Sequence, residues 1–296
     1  MSSNRTRQPW HVPHLVLLVL LPVAWYAALA WGFAAATVLG AWLALNLAVL
    51  MLAEKWRPHR REWQADRRHL RRDGVVSGIN VMADAATGAA LAALAVTLLP
   101  GSNPWSLGVQ ILVGLLAAEL GSYWVHRWSH AEGWLWRVHV THHLPDRLTA
   151  SNALFAHPIN AVYDKAAKLG PLLALGLSPE AVLAVALFGI TQALVTHANV
   201  AGTIGPLNWM LGSAELHRLH HSTEEAEAGN FGTTLPIWDQ VFGTYRRGES
   251  PIHVGVFEPK RYPSEFALQR LLHLPFKKVG LRFADAIRRC CPLGAH

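Results

Sequence analysis

His126-Arg-Trp-Ser-His130 and, after eight intervening residues, His139-Val-Thr-His142-His143 place five of the chain's seventeen histidines within residues 126–143. Read as helix, His126 and His130 are i,i+4 neighbours on one face. His139, His142 and His143 stand at i, i+3 and i+4 on another, so both sets can point at one spot. His217-Arg-Leu-His220-His221 repeats the second spacing and brings the count to eight in three boxes. Imidazole is a borderline nitrogen ligand that suits iron, copper, zinc and nickel. Eight exceed what one ion takes, whether four for structural zinc or six for octahedral iron. Two metals in an all-nitrogen cage is therefore the economical reading. Buried or surface histidines with no metal role are the alternative, and repetition at helical spacing argues against it.

Working outward, composition places the boxes in a membrane protein. Hydrophobic residues make up 52% and charged ones 15%, with thirteen tryptophans, which is apolar for a soluble chain. The fold class expected is all-α: an integral membrane bundle of about four to six membrane-embedded helices with a cytoplasmic helical cap carrying the boxes. The net charge of +7 comes from clusters beside apolar runs, so anionic lipid headgroups fit better than nucleic acid. Cys290 and Cys291 are adjacent, which gives no disulfide framework.

Residues 11–52 are nearly charge-free, twice what one span requires, and predict a helical hairpin turning near Trp31-Gly32. Lys55, Arg57, Arg60, Arg61, Arg67, Arg68, Arg71 and Arg72 make residues 53–74 a basic loop on the cytoplasmic side. A second hairpin follows, 75–99 and 105–125, turning at Pro100-Gly-Ser-Asn-Pro104 and returning His126 to that side. Two acids lie inside these spans, Asp84 and Glu119, and acids at such depth are functional candidates. Glu119, seven residues before His126, can support the metal site or pair with a neighbour in the bundle. Residues 144–168 carry Arg147, Lys165 and Lys168, again basic; 169–196 are apolar but broken by Gly176-Leu-Ser-Pro179, as a pair of spans or a re-entrant hairpin. His197 ends that stretch. Glu215 precedes the third box and can orient an imidazole by accepting its second N–H. Glu224, Glu225 and Glu227 read as a solvated face. The domain reading is one membrane-embedded unit: 1–74 hairpin and basic loop, 75–250 the region bearing the histidine boxes, and 251–296 a basic amphipathic tail lying on anionic lipid.

The three boxes in this order, with Asn230-Phe-Gly and Trp238-Asp239-Gln-Val-Phe242-Gly243-Thr244 after them, resemble the fatty acid hydroxylase/sterol desaturase superfamily over roughly residues 75–250. The close spacing of the first two boxes is similar to that of the alkylglycerol monooxygenases within it. Ala156-His157-Pro158-Ile-Asn160 resembles a His-Pro segment of the family, with alanine and asparagine where arginine and an acid are common. The resemblance implies a non-haem di-iron enzyme of the membrane. Its metal ligands would be His126, His130, His139, His142, His143, His197, His217, His220 and His221, with His157, Glu119, Glu215 and Asp239 as further ligands or their supports. It implies two iron ions cycling between Fe2+ and Fe3+, O2 as co-substrate, and a lipid substrate: a fatty acyl, sterol or ether lipid. Hydroxylation is expected over desaturation on the same scaffold. No Walker A loop, no G-x-G-x-x-G and no cysteine cluster is present. Electrons are therefore expected from an external reductase, a ferredoxin-like carrier or a small reductant. The reading of another class is a membrane metal-ion transporter, which would stagger polar residues through the spans.

Overall fold

Apolar stretches long enough to cross a bilayer must satisfy every backbone N–H and C=O internally, which makes them helices. The computed structural model describes residues 10–98, 103–131, 133–224, 229–251 and 253–277, and among these it holds helices and no strand. The first hairpin is α1 (Val12–Ala30) and α2 (Ala35–Trp56). Pro13 falls in the first turn of α1, where its missing N–H leaves no bond unmade, and the His11 ring accepts the N–H of His14 at 3.2 Å. The chain reverses at Trp31-Gly32, with Gly32 at φ +65°.

The basic stretch divides between loop and helix. Asp66 accepts the N–H groups of Arg68 and His69 (2.8 and 2.9 Å), and α3 (Arg67–Leu98) starts there. Arg67, Arg68, Arg71 and Arg72 therefore lie on its first turns, and Arg72 is buried against Asp73 and Glu265. Helix α4 (Leu107–Ser129) returns toward the histidines. Of the turn expected at 100–104, residues up to 102 lie outside the described residues. Asn103 donates from its backbone and its side chain to the carbonyls of Gly176 and Leu175, at 3.1 and 2.8 Å, so the two far loops meet.

After the short α5 (Trp134–His143), the third hairpin is α6 (Pro158–Ala174) and α7 (Pro179–His197), reversing at Gly176 with Ser178 capping α7. Helix α6 starts ahead of the apolar stretch, because its charges are paired within the bundle: Lys165 with Asp84 (2.8 Å) and Lys168 with Asp164 (2.7 Å). These two lysines, counted in sequence with a basic loop, are thus helical. Asp84 is a packing partner of α6 rather than part of a site. Helix α7 is the central element, buried over most of its length and packed against α1, α2 and α4. Five helices, α1, α2, α3, α4 and α7, are long and apolar enough to cross a membrane among the described residues.

The short helices α8 (Ala214–His220), α9 (Ile237–Val241) and α10 (Leu268–His273) complete the chain. Of the tail expected to lie on lipid, residues 278–296 are outside the described residues. The described part is docked instead, with Leu271 and Leu274 buried against Phe155 and Trp136 respectively.

Helix α4 crosses α6 at Gly121, where a Cβ would run into the carbonyl of Ala167. Replacing Gly121→Val should therefore force the pair apart and destabilise the protein by about 1–3 kcal/mol. A lowered thermal transition in detergent checks this; an unchanged one refutes the tight crossing.

Candidate metal centre

Helix geometry sorts the histidines into two groups. The i,i+4 pairs His126/His130 of α4 and His139/His143 of α5 meet His220 of α8. The pair His217/His221 of α8 meets His142 of α5 and His197 at the end of α7. In each group every residue offers a ring nitrogen within 4.8 Å of the others. Neighbouring residues on a helix diverge by about 100°. His142 therefore leaves the face of His139 and His143, and His220 leaves that of His217 and His221. The two H-x-x-H-H boxes thus cross-supply: α5 gives its i,i+4 pair to the first group and its i+3 histidine to the second, and α8 does the reverse. His143 and His221 stack at 4.1 Å between ring centroids and join the groups. All nine side chains are buried or nearly so.

Protein oxygens orient five of these rings. Nδ1 of His126, His220 and His142 meets the carbonyl oxygens of Phe231 (2.7 Å), Gly229 (2.7 Å) and Phe155 (3.1 Å). Nδ1 of His139 meets Asn160 Oδ1 at 2.7 Å, and that of His197 meets Asn152 Oδ1 at 3.1 Å. These oxygens only accept, so each Nδ1 carries the proton and each Nε2 is a bare lone pair. His142 and His197 then face each other through Nε2 atoms 3.2 Å apart, lone pair against lone pair. In the first group Nε2 of His126, His130 and His220 is buried with no hydrogen-bond partner. Such an arrangement is unfavourable by itself and is what a cation relieves. The residues therefore fit metal: one ion among five imidazoles and a second among four, the donor type that iron, copper and zinc accept.

Burial supplies the rest of the electrostatics. It pulls His130, His139, His143, His217 and His221 well below the ordinary histidine value, with neighbouring imidazoles adding to the effect. His142 and His220 are lowered to about 4, burial being opposed in part by their carbonyl partners. Both are therefore neutral at physiological pH, ready to ligate without displacing a proton.

The four further candidates lie elsewhere. His157 uses both ring nitrogens locally, accepting the N–H of Ile159 and meeting the carbonyl of Leu272, each at 3.1 Å, and it caps α6 away from both groups. Glu215 does not touch an imidazole. It accepts from Thr203 Oγ1 (2.8 Å) and Asn208 Nδ2 (2.7 Å), fastening the 203–208 turn. Glu119 and Asp239 act at one remove. Asp239 accepts the N–H groups of Phe231 and Gly232 (2.8 and 2.7 Å), and Glu119 accepts that of Thr234 (2.9 Å), so the two hold the peptide whose carbonyl orients His126. Gly232 is required there, since a Cβ would lie 2.7 Å from Asp239 Oδ2.

Two supporting residues, Glu54 and Asn152, carry no signal in the sequence, and a third, Asn160, stands out there only as a departure from the His-Pro segment. Glu54, an acid near the end of an apolar run, accepts the N–H groups of Ala150 and Asn199 (2.7 and 2.9 Å) and braces the loops beside His197. Asn152 and Asn160 bear on the histidines directly, yet single asparagines in polar stretches carry no periodic signal. Asp239→Ala, which strips the Phe231 and Gly232 amides of their acceptor, should weaken metal affinity about 10–100-fold. Helical content should stay the same. Equilibrium metal titration monitored alongside circular dichroism reads both; unchanged affinity would detach Asp239 from the centre.

Comparison with known proteins accords with this arrangement. A family model described as fatty acid hydroxylase matches residues 111–244, the stretch from α4 through α9 that contains all nine histidines. The chain is 30% identical to ornithine lipid hydroxylase OlsE of Rhizobium tropici over 254 residues, 79% of this chain and 74% of that protein. It is 28% identical to alkylglycerol monooxygenase of Homo sapiens over 162 residues, 54% of this chain and 35% of that protein. It is 30% identical to methylsterol monooxygenase 2-2 of Arabidopsis thaliana over 156 residues, 48% and 55% of the two chains. No solved structure matches. With the family model falling on the histidine-bearing helices and a relative similar over most of both chains, this chain belongs to the fatty acid hydroxylase family.

Proposed function

We propose that the chain is a membrane-embedded, O2-dependent lipid hydroxylase that works through two iron ions held by its nine histidines. The observation that carries this is the sorting of bare imidazole nitrogens into adjacent groups of five and four at one end of a lipid-facing bundle. His126, His130, His139, His143 and His220 would hold one iron, and His142, His197, His217 and His221 the other. When bound, the irons supply O2 activation with two electrons from an external reductase, a ferredoxin-like carrier or a small reductant, enough to oxidise an unactivated C–H bond. The chain itself does three things. It keeps the five anchored Nδ1 protons in place, so that those ligands stay neutral. It buries the rings away from water. It also brings a lipid, whose chain the apolar helices accommodate, to the end of the bundle where the histidines stand.

The matched relatives are named as hydroxylases and monooxygenases acting on an ornithine lipid, alkylglycerols and methylsterols, which favours hydroxylation over desaturation. The substrate class is a membrane lipid bearing a fatty acyl, alkyl or sterol skeleton. Metal transport is disfavoured because the nine histidines stand together rather than staggered through the spans. The basic end carrying Arg57, Arg61, Arg67 and Arg68 supports an orientation with the histidine side toward the cytoplasm.

Purified, iron-loaded protein should hold about two ions per chain, and His126→Ala or His217→Ala, one from each group, should each lower this toward about one and abolish hydroxylation. Elemental analysis with a lipid assay for one added oxygen atom tests this. A ceiling of one ion in the unaltered chain would defeat the two-metal reading.

Orientation is tested separately with Glu249→Cys and Ser106→Cys, each in a Cys290→Ser/Cys291→Ser background. An impermeant thiol reagent applied to intact cells should label the Ser106 variant. Labelling of the Glu249 variant alone would reverse the topology.

A further inference from the structure

The chain following α7 reads in sequence as polar cap, yet its anchor points lie down the sides of the apolar helices. Gln192, five residues before His197, donates its amide to the carbonyls of Gly212 (3.2 Å) and Thr234 (3.0 Å), and its Oε1 meets the His14 ring (2.8 Å) in the first turn of α1. Trp238 reaches lower still. Its indole N–H donates to the carbonyl of Leu116 at 3.1 Å. Leu116 precedes His126 by ten residues of α4, or about 15 Å along the helix axis. The turn at 205–211 and α9 therefore sit level with, and below, the point where the apolar span of α1 begins.

Their outer surface suits that depth. Met210, Val241 and Ile237 are 66%, 61% and 41% exposed. Ile237 and Val241 are one turn apart on α9, and Gln240 ties α9 to the Trp209 carbonyl at 2.7 Å, so the three residues form one patch. Aromatic and cationic groups border it: Tyr245 packs on Trp209 at 4.9 Å, and the Arg247 guanidinium lies over the Trp209 ring at 5.4 Å. Cation, aromatic ring and aliphatic patch side by side are the constituents of a membrane boundary. Through Trp238 the patch continues into the exposed apolar surface of α4 at Leu112 and Val109.

We propose that the 205–211 turn and α9 form a ledge immersed in the leaflet on the histidine side, with Met210, Ile237 and Val241 in contact with lipid acyl chains. The ledge is membrane contact beyond the five spans. Because Phe231, whose carbonyl orients His126, belongs to the segment that Glu119 and Asp239 clamp beside α9, seating of the ledge in lipid is tied to the geometry of the first histidine group.

The test uses the full chain with Cys290→Ser and Cys291→Ser, carrying Met210→Cys, Val241→Cys or, as an aqueous reference, Glu249→Cys. Each protein is reconstituted in vesicles of phosphatidylcholine and phosphatidylglycerol and spin-labelled, and label collisions with O2 and with a water-soluble nickel chelate are compared. The ratio of O2 to nickel collisions should be several-fold higher for the Met210 and Val241 variants than for the Glu249 variant. Nickel collisions equal to those of the reference overturn the ledge. So does exclusion of both reagents at Met210 and Val241, which would mean that protein rather than lipid covers the patch.

Discussion

Two imidazole nitrogens, Nε2 of His142 and Nε2 of His197, face each other at 3.2 Å with their protons committed to oxygens on the far side of each ring. Everything else in the architecture makes that repulsive arrangement hold. The lone pairs cannot be relieved by water in a buried site, and the rings cannot turn away without breaking bonds to Phe155 and Asn152. Protonation is no escape, because burial has already pushed His142 down to about 4. A site built in this way presents converging bare nitrogens, the arrangement a cation relieves.

The buried carboxylates serve the same end without ligating. Glu54, Glu119 and Asp239 each accept backbone N–H groups and together pin three loops, at 150, 199 and 231–234. Burial raises Asp239 while its bonds from Thr244, Gly232 and Phe231 oppose the shift. The side-chain acids are thus spent on backbone, and backbone carbonyls are spent on histidines. This division leaves the two histidine groups as all-nitrogen donor sets. It also explains why the segment around Asn230-Phe-Gly and Asp239 accompanies the boxes: Asn230, at φ +52°, turns the chain so that the Phe231 carbonyl reaches His126.

The membrane-length helices and the two histidine groups share one helix set. Helix α7 is packed on α1, α2 and α4 and ends in His197, while α4 is packed on α6 and ends in His126 and His130. The close crossing at Gly121 and the hydrogen bond from Ser122 to Asp164 (3.1 Å) fix α4 against α6, while the Lys165–Asp84 ion pair ties α6 to α3. Positions of the box residues are therefore set by contacts among the apolar helices, and the short helices α5 and α8 bring the remaining ligands to ends already in place.

The sequence by itself determined the helical hairpins, the turn at Trp31-Gly32 and which nine histidines stand together, because hydrophobic run length and i,i+4 spacing are local properties of the chain. It also set the family, since the boxes and closing segment are read in order along it. Tertiary structure alone decided how the nine divide into five and four, because that depends on which way α5 and α8 face each other. It removed His157 and Glu215 from the centre, both of which find partners closer to hand in space. It also gave Asn152, Asn160 and Glu54 their roles, for a single asparagine or glutamate acquires an imidazole or a loop to hold only when distant segments are folded against it.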